Sequence, residues 1–371
     1  MGIKYKTVLA IVIVTLIVLV ASWFLFFKGI YLKEADRKLS GELTIYNWKD
    51  YIGKDTVANF EKEFGVKVNY LTFDDEEELF SALQSASSKY DLVIASNDVI
   101  TALVQARLLD TIDYTNIPNI KNIGEKFRNP PYDPENKHSV PYLWGTTGVI
   151  INSKHISGNP DSWSLLWDPV YRGKIAMLNN LFATFMPAFL MHGIDFNTND
   201  LHAIAIAEEE LFKQRPLIVG YLEVTDIRDK MVSGDLWAAQ IYSGEAMQAI
   251  EKNKDLRYFI PKEGSDIWVD NWAIPMGAHH KYTAEAFINY VLRPKVSAAI
   301  VNELWFANPN IAARPFTDEE MLNDPLVYPP SNILDKCHMW HDVGTPEEIM
   351  QGRSKMNEIW ETLKFLGRNE Q

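Results

Sequence analysis

The chain predicts an α/β protein built as two lobes, and three observations carry that expectation. Short β-rich runs alternate with helical runs from Gly41 onward, the pattern of strands joined by crossover helices. At 371 residues the chain exceeds the ~250–300 residues over which a single hydrophobic core grows. Two extended runs, Ser139–Asn152 and Ile267–Pro275, have no long helix on one side, as strands passing between two lobes would.

The elements follow in order. Glu42–Trp48 reads as a strand, Asp55–Phe64 as an amphipathic helix and Val66–Phe73 as a second strand. Asp74–Glu78 is a carboxylate run, favourable at the positive end of a helix dipole, and is read as a helix start rather than a metal site. Tyr90–Ser96 (YDLVIAS) has the apolar continuity of a buried strand and leads into a helix ending at Leu108. In the second half, Ser162–Trp167 is a short helix, Lys174–Leu178 a strand and Asp200–Lys213 a helix. Leu217–Leu222, Leu236–Tyr242, Leu256–Ile260 and Trp268–Pro275 are further strands, with helices at Thr225–Val232 and Glu245–Asn253. The chain from Thr283 on is largely helical. Strands alternating with helices in this way imply parallel sheets.

Composition narrows the function. The formal charge of −13 argues against a nucleic-acid partner, which needs a basic face. Cys337 is the only cysteine, so neither an internal disulfide framework nor a thiolate cluster is available. Residues 1–40 hold six basic residues against Glu34 and Asp36, a balance of +4, which leaves −17 for the remainder. A basic leader on an acidic body is the pattern of an exported protein.

That leader contains an uncharged apolar run from Val8 to Phe27, preceded by Lys4 and Lys6 and followed by Lys28. As a helix it matches the ~30 Å hydrocarbon core of a bilayer. No small-x-small cleavage site ends it, so residues 1–28 are expected to form an uncleaved signal anchor; a cleaved leader is the alternative. Residues 29–40 form a polar stalk.

Ligands of open α/β sheets sit beyond the carboxyl ends of strands. The residues there are Asn47, Trp48, Asp50 and Tyr51; Ser96, Asn97 and Asp98; Asn179 and Asn180; and Ser243, Gly244 and Glu245, with Trp268 and Asp270 on the second crossing strand. Aromatics and carboxylates dominate. Carboxylates hold alkylammonium ions by charge-assisted hydrogen bonds, and ring faces add cation–π attraction of about 2 kcal/mol when desolvated. A sugar site would also use tryptophans and acids, and any one tryptophan could equally be a core residue.

Six segments occur in one order across Gly41 to Leu363: YNWKDYI (46–52), YDLVIAS (90–96), SVPYLWGTTGVIIN (139–152), YSGEA (242–246), WVDNWAIP (268–275) and NPNIAAR (308–314). Together they resemble the spermidine/putrescine-binding proteins of polyamine ABC importers. The resemblance implies a type II periplasmic-binding-protein fold, two lobes joined by two crossing strands with a polyamine trapped between them. It also implies delivery to a membrane permease with its ATPase, and no cofactor. Expected boundaries are 41–143 plus 271–313 for lobe 1, 144–270 for lobe 2, and 314–371 for a helical segment packing across both. The family's site maps onto Trp48 and Tyr51 as an aromatic wall, Asp50, Ser96, Tyr242, Glu245, Trp268 stacking on the aliphatic chain and Asp270 pairing with an amine. Phe306 stands where the family often has tyrosine.

Two departures matter. After the KIAML strand the family commonly carries Asp-x-x-Glu, whereas this chain reads Asn180, Leu181, Phe182, Ala183. Two positions beyond Ser96, where an aromatic is usual, stands Asp98, which could supply the missing charge from the opposite lobe. The other ligands to weigh are a different small cation, such as thiamine or an amino-sugar derivative. An enzyme is the rival class, with a membrane-anchored glycoside hydrolase on Glu245 and Asp270 its form. The chain lacks G-x-S-x-G, H-E-x-x-H, P-loop and G-x-G-x-x-G signatures. His338 and His341 beside Cys337 fall short of a metal ligand set.

Overall fold

The computed structural model describes residues 39–73 and 76–368. The apolar run Val8–Phe27 lies outside the described residues, among which no helix is long and apolar enough to cross a membrane.

Ten strands are described: β1 (Glu42–Trp48), β2 (Lys67–Phe73), β3 (Leu92–Ser96), β4 (Ser139–Asn152), β5 (Ile175–Leu178), β6 (Ile218–Leu222), β7 (Ala238–Tyr242), β8 (Leu256–Phe259), β9 (Ser265–Ala273) and β10 (Cys337–His338). Their order is β2-β1-β3-β9-β4-β7-β5-β6, with β8 on β4 and β10 on β9. In lobe 1, β1 alternates Leu43 and Ile45 into the core and fully buries Asn47 just before its last residue, Trp48. The following helix α1 (Thr56–Phe64) buries Thr56 and Phe60, an i, i+4 pair on one face, and ends where Gly65 takes φ 66°. Helix α2 (Glu76–Ala86) leads to β3, and α3 (Asn97–Gln105) follows it.

The expectation of purely parallel sheets is corrected. β1 pairs with β2 and β3 in parallel, and β5 with β6 and β7, but β9 runs antiparallel to β3 and β4, and β4 antiparallel to β7 and β8. The reason is connectivity. β4 carries the chain out of lobe 1 and β9 carries it back, so the two must run in opposite directions through adjoining sheets. All fourteen residues of β4 are buried, because it serves both lobes.

Lobe 2 contains α4 (Leu181–Leu190), α5 (Leu201–Gln214), α6 (Val224–Ser233) and α7 (Ser243–Lys252). Helix α4 carries no periodic signal, since Ala183 through Phe189 are all buried, and Pro187 lies within it. A helix apolar all round has no amphipathic stripe to detect. Asn180 caps it by accepting from Ala183 N at 2.9 Å.

The cores are distinct: Phe60, Phe73, Trp272 and Phe287 belong to lobe 1, and Trp163, Phe185, Phe189 and Phe196 to lobe 2. The C-terminal segment contributes to both, with Met321, Val327 and Cys337 in the first core and Trp340, Met356 and Leu363 in the second. Between these lies a third passage across the molecule. Asn97, 1% exposed, accepts from Val269 N at 3.0 Å and donates to Trp340 O at 3.1 Å, while Asn197 donates to Met339 O at 3.2 Å from lobe 2.

Asn97→Ala strands the buried Val269 N–H and Trp340 C=O. At about 1–3 kcal/mol for each unmet group, chemical denaturation is expected to report a loss of about 2–4 kcal/mol; a loss under ~0.5 kcal/mol would show that Asn97 does not tie these elements together.

Candidate functional site

The cleft is built where β4 and β9 cross between the lobes. Trp268 lies directly opposite Gly145 in their ladder. A Cβ at Gly145 would come within 2.3 Å of the Trp268 ring, so only glycine lets the indole lie flat across β4. Gly244, in the first turn of α7, does the same for Phe306, whose ring would meet a Cβ at 1.9 Å. Three residues earlier in β4, the register shifts between Pro141 and Leu143, leaving Tyr142 as the extra residue of a bulge. Bulges re-aim side chains, and here Tyr142 Oη donates to Tyr51 O at 3.1 Å.

These features produce a continuous run of rings. Tyr142 lies edge-on to Tyr51 at 6.0 Å, Tyr51 to Phe306 at 5.2 Å, Phe306 to Trp268 at 5.7 Å, and Trp268 to Tyr242 at 5.9 Å. The loop presenting Tyr51 is organised by Asn47, whose Nδ2 donates to Tyr51 O at 3.2 Å and to Tyr70 Oη at 2.8 Å.

Carboxylates line the same run. Tyr51 Oη donates to Asp270 Oδ2 at 2.5 Å. Asp270 is 8% exposed, and burial pushes its pKa up to about 7, with the Asp98 charge adding to the rise and the Tyr51 hydrogen bond opposing it. Burial raises Glu245, in the first turn of α7, to about 7 as well. Its Oε2 is sealed from solvent and finds no partner among the described residues. Asp266, also buried, is pushed up to about 6 and accepts from Thr147 N at 3.3 Å. Tyr242 is held neutral by burial and then by Glu76, Asp266, Asp98 and Glu245 around it. Buried acids without a paired cation are unfavourable as anions, so the cleft is poised to receive positive charge.

The residues expected from sequence divide. Tyr51, Tyr242, Glu245, Trp268 and Asp270 are brought together. Ser96 faces Asp270 across the β3–β9 ladder, and its hydroxyl lies 2.5 Å from Asp98 Oδ1. Trp48 is half-buried and packs on Phe73 at 4.4 Å, outside the run of rings. Asp50 is exposed with φ 55°, a turn residue after β1. Glu76 and Asp266 were missed. Asp266 had a signal: in β9 it stands at i relative to Trp268 and Asp270 at i+2 and i+4, which share one face. Glu76 was absorbed into a run read as a helix start, which it also is. Among the described residues no group of three or more His, Cys, Asp or Glu side chains could hold a metal ion.

The family model for bacterial extracellular solute-binding proteins matches residues 87–337. The spermidine/putrescine-binding periplasmic protein of Salmonella typhimurium is 31% identical over 311 residues, 83% of this chain and 89% of that one. The putrescine-binding periplasmic protein PotF of Escherichia coli is 33% identical over 314 residues, 79% and 85% of the two chains. Among solved structures, a putative spermidine/putrescine ABC transporter protein of Listeria monocytogenes superposes with TM-score 0.80 at 30% identity, covering 88% of this chain and 99% of that one. The substrate-binding protein PotD of Streptococcus pneumoniae gives TM-score 0.78 at 29% identity, over 88% and 100%. The two lobes thus have the type II periplasmic-binding-protein fold, and the chain belongs to the bacterial extracellular solute-binding protein family.

Proposed function

We infer that this protein captures a polyamine, putrescine or spermidine, between its lobes and delivers it to the permease of an ABC importer. The observation that carries this function is the pair of buried carboxylates, Asp270 on β9 and Glu245 at the start of α7, both raised to about 7 by burial, with no salt-bridge partner among the described residues and walled by aromatic rings. An ammonium brings charge to both, and its methylenes lie against Trp268 and Phe306. Relatives named for spermidine or putrescine binding at 31–33% identity support the same ligand class. A binding protein rather than an enzyme accounts for these features.

Residues 41–143 with 271–313 form one moving lobe and 144–270 the other, hinged at β4 and β9, with 314–371 spanning both. Ligand contacts from both lobes favour the closed arrangement by differential affinity. Tyr51, Ser96, Asp98, Tyr242, Glu245, Trp268 and Asp270 line the ligand; Trp48 and Asp50 shape the loop carrying Tyr51. The Val8–Phe27 run anchors the body at the outer face of the membrane, close to the permease; release of the protein from washed membranes by salt alone would contradict anchoring.

Calorimetric titration of residues 41–371, after unfolding and refolding to remove carried-over ligand, tests the function directly. Binding of putrescine or spermidine is expected, and binding of neither overturns it. Glu245→Gln leaves part of the ligand charge unpaired and is expected to cost about 2–5 kcal/mol, some 30-fold or more in Kd.

The pH dependence has a definite sign. The ligand is cationic throughout pH 5–8, and both acids must ionise to hold it. Below pH ~7 each protonated carboxyl must lose its proton on binding, so affinity falls by up to about tenfold per pH unit for each group. A pH-independent Kd between 5.5 and 8 would exclude these acids as the cation ligands.

Stability of the ligand-free protein runs the other way. Asp270 has a folded pKa of about 7 against an ordinary 3.8, so the folded state binds more protons between these values and stability falls as pH rises through that window. Asp270→Asn is therefore expected to raise the ligand-free Tm at pH 8, with little change at pH 4, while abolishing tight binding. Equal effects at the two pH values would show that the charge of Asp270 is not what destabilises the empty cleft.

A further inference from the structure

The first turn of α7 holds a glycine that its own backbone does not need. Gly244 is the second residue of that helix, and its φ is not positive, so its conformation is open to residues with a side chain. In a helix alanine is favoured over glycine, because glycine loses more backbone freedom on folding. What excludes a side chain here is Phe306. A Cβ at Gly244 would stand 1.9 Å from one carbon of the Phe306 ring and 2.5 Å from two others. The ring is hemmed in: it is 5% exposed, with the Tyr51 ring at 5.2 Å and the Trp268 ring at 5.7 Å.

The two partners come from different lobes. Helix α7 packs through Ala246 and Ala249 into a core of lobe 2, whereas Phe306 belongs to the core of lobe 1. Met247, three residues after Gly244 and so on the same helix face, packs against the lobe 1 core as well. Phe306 is held for this meeting from both flanks. Before it, Trp305 ends the helix Pro294–Leu304 in the left-handed region, at φ 61° and ψ 32°. A bulky residue adopts that conformation only where its surroundings enforce it, and such strain gathers at functional sites. After it, Ala307 O accepts from Trp144 N at 3.0 Å, which pins the backbone beside the ring to β4.

We propose that Phe306 on Gly244 is the closing contact of the two lobes: the ring from lobe 1 seats on bare backbone of lobe 2, and the missing side chain sets how closely the lobes approach. Glu245 follows Gly244 directly, and Tyr51, which packs on Phe306, donates to Asp270. The depth of closure at this contact therefore governs how near Glu245 of lobe 2 comes to Asp270. Gly244 acts as a positioning residue, with no polar group of its own to offer a ligand. The closing contact rests on the polyamine function above and adds a consequence to it. A methyl group at position 244 holds the lobes apart while removing no acid and no ring, and affinity then falls with the fraction of protein able to close.

Calorimetric titration of wild type, Gly244→Ala, Phe306→Ala and the double variant with putrescine and with spermidine, at pH 8, reads the contact as a coupling between the two positions. Gly244→Ala is expected to raise Kd by about tenfold or more when Phe306 is present, and by less than about threefold once Phe306→Ala has removed the ring. That comparison holds whatever Phe306→Ala costs by itself. Thermal unfolding of ligand-free Gly244→Ala is expected to match wild type, since neither lobe core changes. A loss of equal size with and without the ring, or a Kd within threefold of wild type, overturns the closing contact and leaves the polyamine function standing. A Gly244→Ala protein that is markedly less stable than wild type marks a packing contact of the fold and overturns it too. Wild-type protein that binds neither amine overturns the polyamine function. Small-angle scattering from the ligand-free proteins then decides the contact: a larger radius of gyration for Gly244→Ala, reversed in the double variant, supports it, and equal radii overturn it.

Discussion

The ladder between β4 and β9 is the constraint on which the rest of the molecule depends. It joins the lobes, and residues 267–273 and 139–146 within it also form the floor of the cleft. Because the strands are antiparallel and adjacent, Trp268 and Asp270 of one and Gly145 and Tyr142 of the other are held in fixed register. The bulge at Tyr142 reaches the loop of Tyr51, and Tyr51 in turn reaches Asp270. The strands that join the lobes are therefore the same strands that carry the residues at the floor of the cleft.

Burial makes the acids of the cleft costly to ionise in the ligand-free protein. Acids whose charged forms are penalised by burial, Asp270, Glu245 and Asp266, are gathered with no salt-bridge partner among the described residues. Desolvation that weakens the empty protein strengthens attraction for an incoming ammonium, since the same low dielectric governs both. The rings of Tyr51, Phe306, Trp268 and Tyr242 lie edge to face along the same run as these acids. Glycines at 145 and 244 are the backbone's concession to those rings, because any side chain there would occupy the space that Trp268 and Phe306 fill.

Charge is also distributed between the lobes in a particular way. Lobe 2 contributes Glu245, while Asp98 and Glu76 both come from lobe 1, and the third passage at Met339–Trp340 is tied to the two lobes through Asn97 and Asn197. Asn97 connects these parts: it sits between Ser96 and Asp98 in sequence, and its side chain bridges β9 to Trp340.

Much of the fold was legible in the sequence because its signals are local. Alternating apolar residues in Glu42–Trp48, the apolar continuity of Tyr90–Ser96 and the long run Ser139–Asn152 are periodicities that burial imposes on neighbouring residues, and they identified strands and the two crossings. Helix Leu181–Leu190 was not legible, since burial on every side erases periodicity. Antiparallel pairing of β9 was hidden too, because strand direction depends on where the chain returns from, not on local pattern. Among the site residues, Tyr51, Glu245, Trp268 and Asp270 were found through motif order and position at strand ends. Glu76 and Asp266 were not, for Glu76 comes from a helix start and the burial of Asp266 beside Thr147 depends on the pairing of distant strands. The sequence by itself determined the strands, the crossings and the types of group available, acids and aromatics, because these follow from composition and local spacing. Only the tertiary structure decided which acids share a desolvated space and which, like Asp50, remain in water, because burial and charge proximity are set by contacts between residues far apart in the chain.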